Sequence, residues 1–146
     1  MAIRVNLLDR ADALLAEAAG APDPADRFRA AYLAALRGAG AAIAGRAPRS
    51  RTRSAWALLE RVEPDLADWS DFFAAHSETR AAIEAGISRT VTVAEANRFY
   101  SEVSRFLTAV EERLAAVGGP GVGGRAAAGV VLRGRRRDVL VGPSVG

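Results

Sequence analysis

Apolar residues recur at helical spacing in four long blocks, and each block is bounded by residues that start or stop a helix. Leu7, Leu8, Ala11, Leu14, Leu15 and Ala18 form the first stripe, which predicts a helix from about residue 6 to 19 with Gly20 beyond its end. Asp23 is placed to cap a second helix whose first position is Pro24, where a missing amide donor costs nothing, and Asp26 in the first turn complements the dipole. Its stripe is Phe28, Ala31, Tyr32, Ala35, Leu36, Ala39 and Ile43, and the small residues between them admit a close helix partner. Gly38, Gly40 and Gly45 weaken its last turns by about 1 kcal/mol each relative to alanine.

Ser54 or Thr52 can cap a short helix, AWALLERV, with Trp56 and Leu59 on one side. Pro64 opens a fourth long helix, predicted to reach about residue 85, whose Leu66, Trp69, Phe73, His76 and Ile83 make an inward aromatic face. Gly86 ends it. Thr92-Val93-Ala94-Glu95 is a capping box, in which a hydroxyl and a carboxylate reciprocally satisfy free amides. The final helix runs to about Val117 and buries Ala96, Phe99, Tyr100, Val103, Phe106, Leu107, Val110 and Leu114. The expected fold is therefore all-α, an up-and-down four-helix bundle with one additional short helix. No a/d heptad is sustained across helix boundaries, which argues against a coiled coil.

Beyond the last stripe the chain changes character. Nine of the 14 glycines lie in residues 118–146, starting at GGPGVGG, where glycine's freedom and proline's missing donor stop a helix. The expected organisation is a helical bundle over 1–117 and a disordered, Gly/Arg-rich C-terminal tail over 118–146. The apolar runs GVVL and DVLVG could pair as a hairpin, but an isolated pair of strands is marginal in water.

Charge and composition narrow the function classes. A chain of 146 residues, 50% hydrophobic and 25% charged, suits one globular domain. It has no cysteine, which excludes disulfide scaffolds, CxxC zinc sites and thiol nucleophiles, and its one histidine leaves no two-histidine chemistry. No metal or other cofactor is expected. There is no apolar stretch of about 18 residues, so no membrane span is expected. Arg4, Asp9, Arg10, Asp12 and Glu17 interrupt any secretory run at the amino terminus, and the cytoplasm is the expected location. The net charge of +3 is unevenly divided. The tail holds Arg125, Arg133, Arg135, Arg136 and Arg137 against Asp138 alone, so it carries +4 and residues 1–117 carry −1. All 20 basic residues are arginine, which together with abundant alanine matches the bias of a GC-rich genome.

The order RAAYLAALRGAGAAIAG, PRSRTRSAWALLERV, PDLADWSDFFAAHSETRAAIEAGI and VTVAEANRFYSEVSRFLTAVE resembles a small actinobacterial family of HEPN domains, the higher eukaryotes and prokaryotes nucleotide-binding superfamily. The resemblance covers most of residues 7 to 117, and its most distinctive pieces are Ser54-Ala55-Trp56 and the turn from Trp69 to Phe73. It implies an all-helical bundle, often dimeric, from a superfamily that includes RNA-cleaving toxins, non-catalytic partners of minimal nucleotidyltransferases and members of unknown role. The ribonucleases of that superfamily carry an arginine, four to six intervening residues and a histidine, so that arginine stabilises the phosphorane and histidine moves the proton. Here the positions that would hold the arginine before His76 are Trp69, Ser70 and Asp71. Arg80 follows His76 in the reverse order, so the catalytic role is not carried onto it. His76 and Arg80 remain weak catalytic candidates, and the favoured account of His76 is a partly buried ring with one nitrogen bonded.

Arg46, Arg49, Arg51 and Arg53 precede a helix start, where free amides can hold a phosphate, and they form the best anion site in the sequence. Arg133, Arg135, Arg136 and Arg137 would add salt-dependent attraction to nucleic acid or acidic surfaces. A solvated, arginine-rich loop is the favoured account of the first run, and the second could equally be an unselected tail extension. Trp56 and Trp69 could stack on bases but sit at core spacing. Asp65 and Asp68 share a helix face while Asp71 drifts round it, so they make no metal site, and Gly118 to Gly124 lacks the flanking residues of a phosphate loop. The expected function is a non-enzymatic interaction or regulatory module, working as a homodimer or with a protein partner and touching nucleic acid weakly through electrostatics. The alternative is a HEPN-type ribonuclease with a degenerate site.

Overall fold

The structure, a computed structural model, describes residues 2–46, 54–87 and 91–118. Its elements in chain order are α1 (Ala2–Gly20), α2 (Pro24–Ile43), α3 (Ala55–Val62), a 3-10 turn (Pro64–Leu66), α4 (Ala67–Ala75), α5 (Ser77–Glu84) and α6 (Val93–Gly118). The fold is an all-α helical bundle, and no strand occurs among the described residues.

The caps read from the sequence form as hydrogen bonds. Asp23 accepts from the Asp26 amide at 3.3 Å, Ser54 accepts from the Ala57 amide at 3.3 Å, and Thr92 and Glu95 exchange both bonds of a capping box at 2.8 and 3.1 Å. Two boundaries differ from expectation. The first helix starts at Ala2 and packs its extra turn against the end of α2, where Arg4 donates to the Ala44 carbonyl at 2.9 and 3.3 Å. The single helix expected over 64–85 is divided into the 3-10 turn, α4 and α5, with the break at His76. No glycine or proline marks that break, so apolar spacing alone carried the pattern straight across it.

The helix α2 is the hub. It packs against α1 and α6 along its length, with α3 and α5 beside it. Pairing of Arg4 with Ala44 and of Arg27 with Ala18 sets α1 antiparallel to α2, while contacts of Phe28 with Phe99 and a close approach of Gly38 to Leu107 set α6 parallel to it. Being covered on several sides demands small residues. Ala30, Ala31, Ala34, Ala35, Ala39, Ala41 and Ala42 are all buried, and a Cβ at Gly38 would collide with Leu107. Part of the alanine abundance is thus a packing requirement of this hub and not composition bias.

The other half of the core is aromatic. Trp69 and Phe73 are 1% and 0% exposed and meet Trp56, Phe99 and Phe106, with ring centroids 4.8 Å apart for Trp56 and Phe73 and 5.0 Å for Phe73 and Phe106. The Trp56 indole donates to the Tyr32 hydroxyl at 2.9 Å, which satisfies both buried polar groups.

Arginine takes a recurrent structural role at helix ends, where the last carbonyls lack backbone donors. Arg27 donates to the Ala18 and Ala21 carbonyls at 3.1 and 2.7 Å and also to Asn97, tying the end of α1 to the start of α6. Arg4 does the same for α2, and Arg46 donates to the Val62 carbonyl at the end of α3 at 3.2 Å. A planar fork with several donors suits this double contact better than a single ammonium.

Candidate functional site

His76 stands at the break between α4 and α5. Its backbone amide bonds to the Phe73 carbonyl at 3.0 Å, three residues back, which leaves the Phe72 carbonyl without its helical donor. The imidazole fills the vacancy, with Nδ1 2.7 Å from the Phe72 carbonyl oxygen. Since a carbonyl only accepts, Nδ1 carries the proton. The half-buried ring packs against Phe72, Phe99 and Phe28 at 4.4, 5.1 and 6.1 Å. Nε2 has no hydrogen-bond partner among the described residues.

Arg80 lies on α5 with its guanidinium over the Tyr32 ring, 5.4 Å from the centroid, and its Nε 3.7 Å from Glu84. Glu84 also accepts from Arg29 of α2 at 3.2 Å. Arg80 is therefore held over α2 by the Tyr32 ring and paired with a carboxylate of its own helix. Two of the three positions that could supply the missing upstream arginine are unsuited to one, because Trp69 and Ser70 are 1% and 2% exposed and a charge there would be buried without a partner, while the third is the exposed Asp71.

Of the four loop arginines, Arg46 alone lies within the described residues. Its guanidinium bonds Glu63 as well as the Val62 carbonyl. Arg49, Arg51 and Arg53 lie outside the described residues, as do Arg133, Arg135, Arg136 and Arg137, so Arg46 is placed with none of them. The structure brings His76 and Arg80 to neighbouring positions along α2, and it gives Arg46 to a separate cluster at the other side of α3.

That cluster was missed by the sequence reading. Glu63 is 1% exposed and accepts from Arg46 and, at 2.7 and 3.1 Å, from Arg113 of α6, which also donates to Asp65 at 2.9 Å. Burial pushes the Glu63 carboxyl upward, but the bonds and charges of Arg46 and Arg113 outweigh it and hold the group below its ordinary value. The signal was present. Glu63 falls seven and four on from the buried Trp56 and Leu59, and Arg113 falls three on from Val110, so two opposite charges occupy core-facing positions in different segments. No group of three or more His, Cys, Asp or Glu that could hold a metal ion occurs among the described residues. No helix there is long and apolar enough to cross a membrane.

The bundle, with its central alanine-rich helix, aromatic inner face and histidine at a helix break, is a small all-α helical domain. The family model of SAV_6107-like HEPN matches residues 18–111, and the chain belongs to that family. No curated protein and no solved structure matches it.

Proposed function

We propose that this HEPN domain is a non-enzymatic interaction or regulatory module, acting as a homodimer or with a protein partner. Weak, salt-sensitive nucleic-acid contact comes from Arg49, Arg51 and Arg53 and from the tail arginines 133, 135, 136 and 137. The observation that carries this reading is the state of His76 and its surroundings. One imidazole nitrogen is committed to the Phe72 carbonyl, Arg80 is held by Tyr32 and Glu84, and the upstream positions are a core tryptophan, a buried serine and an aspartate. Acid–base cleavage of a phosphodiester needs a proton-transfer group and a cation converging on one phosphate. Arg46 does not supply the cation, since Glu63 already binds it.

The test is incubation of the full-length protein and a His76→Ala variant with mixed RNA. Equal, background-level turnover in both is the expected result. Cleavage that disappears in the variant would establish the ribonuclease alternative. Binding followed across a salt series should weaken steeply, and full-length protein with Arg133, Arg135, Arg136 and Arg137 changed to glutamine should show a shallower salt slope, because fewer counterions are released.

A further inference from the structure

We propose that α5 is a hinged flap, pinned at His76, that opens while the rest of the bundle stays folded. Three observations converge on it. No residue of α5 is buried, although it lies directly against the hub helix. It has only eight residues, too few to hold a helix in water without tertiary support. It is bracketed by two built-in ends: the helix break at His76, and a Schellman turn at Gly86 (φ 88°), where the Gly86 amide bonds Ile83 at 2.9 Å and the Ile87 amide bonds Ala82 at 3.0 Å.

The attachments of α5 are few and sit at its surface. Arg80 lies over Tyr32, Glu84 pairs with Arg29, and Ile83 packs half-buried against the core. Beneath Arg80 is the ring of Tyr32, 2% exposed, with Phe28 stacked beside it, and both belong to the aromatic core and remain held by Phe99 and Trp56. Opening therefore removes a cover without dismantling the core. It presents an aromatic floor beside Arg29 that the closed form conceals.

His76 sets the direction of the flap. By donating Nδ1–H to the Phe72 carbonyl, the side chain takes the acceptor that the backbone amide of His76 itself would use in a continuous helix, and α5 turns across α2 instead of extending α4. This gives the histidine a positioning role that requires no chemistry.

Amide hydrogen exchange on the full-length protein tests both parts, under conditions where exchange follows the opening equilibrium. The amides of Arg80, Ala85 and Ile87 are expected to exchange at least about a hundredfold faster than those in the middle of α2 and α6, with a much smaller denaturant dependence. Leu107→Ala, at the seam of α2 and α6, should speed exchange in those two helices and leave α5 unchanged, because the seam is intact in both the closed and open forms. Glu84→Gln should speed the α5 amides by roughly two- to fivefold. If α5 exchange rises together with the core in Leu107→Ala, or carries the same denaturant slope, the flap is overturned. In His76→Ala, α4 and α5 should merge, with residue 76 acquiring helical carbon shifts, and His76→Asn, whose amide can reach the same carbonyl, should restore the break. A break that persists unchanged in His76→Ala would overturn the pin.

Discussion

The helices α2 and α5 share alanine and arginine yet occupy opposite extremes of the molecule. In α2 eleven residues are buried, eight alanines with Gly38, Phe28 and Tyr32, whereas α5 buries none. Composition separates them only in part, with alanine and glycine at ten of the 20 positions of α2 and two of the eight of α5. Length and neighbours do the rest, since α2 runs through the middle of the bundle and α5 along its side. The difference teaches that small residues have two uses here. On the hub they let α1 and α6 approach, and on α5 they merely permit a helix that contributes little to the core.

The largest effect is expected where the aromatic half of the core is emptied. Trp69 touches Phe72, Phe73 and Phe106 and is nearly inaccessible, so Trp69→Ala should cost about 3 to 5 kcal/mol by chemical denaturation. A loss below about 1 kcal/mol would mean that the hub alone holds the bundle, and the contrast would have to be redrawn.

Next comes the buried carboxylate. Glu63→Ala removes the acceptor of two arginines while leaving both cations partly exposed, so a cost of about 1.5 to 3 kcal/mol is expected. Its pH signature has a definite sign. Because the folded-state value lies below the ordinary 4.5, the unfolded chain takes up the proton first as the pH falls, and the stabilisation, complete above 4.5, is lost as the pH drops through the lowered value. Wild type should therefore lose more stability than Glu63→Gln between neutral and acid pH. Parallel pH profiles would show that the network does not bind its proton as described.

The hub itself is tested at its tightest point. Gly38→Leu should cost about 1 to 3 kcal/mol through overpacking against Leu107, and pairing it with Leu107→Ala should recover part of the loss. Additive costs in the double variant would separate the two sites.

Much of this architecture was legible in the sequence, because periodicity and caps are local. Asp23, Ser54 and the Thr92–Glu95 box each specify a helix start within a few residues, and the Trp69 and Phe73 stripe identified the core face. What was not legible depends on contacts distant in sequence or on side-chain geometry. The break at His76 follows from an imidazole reaching a carbonyl, which no apolar pattern records. Arg46 read as an anion ligand because its partner Glu63 lies 17 residues away on the far side of a helix. For His76 and Arg80 the spacing alone argued against the family's catalytic pattern, and the structure adds what each side chain touches.

The smallest effect is expected at the contact between the two helices compared above. Arg29 and Glu84 have side chains 44% and 40% exposed, so their attraction is screened by water and offset by the entropy of holding two long side chains. Arg29→Ala should change global stability by about 0 to 1 kcal/mol, and the change should shrink further in high salt. The same substitution in a Glu84→Gln background should have almost no effect, because the ion pair is already gone. A cost above about 2 kcal/mol that persists in salt would mean that α5 is bound to α2 by burial and not by surface charge, which would bring the two helices together in kind and remove the basis for treating one as hub and the other as cover.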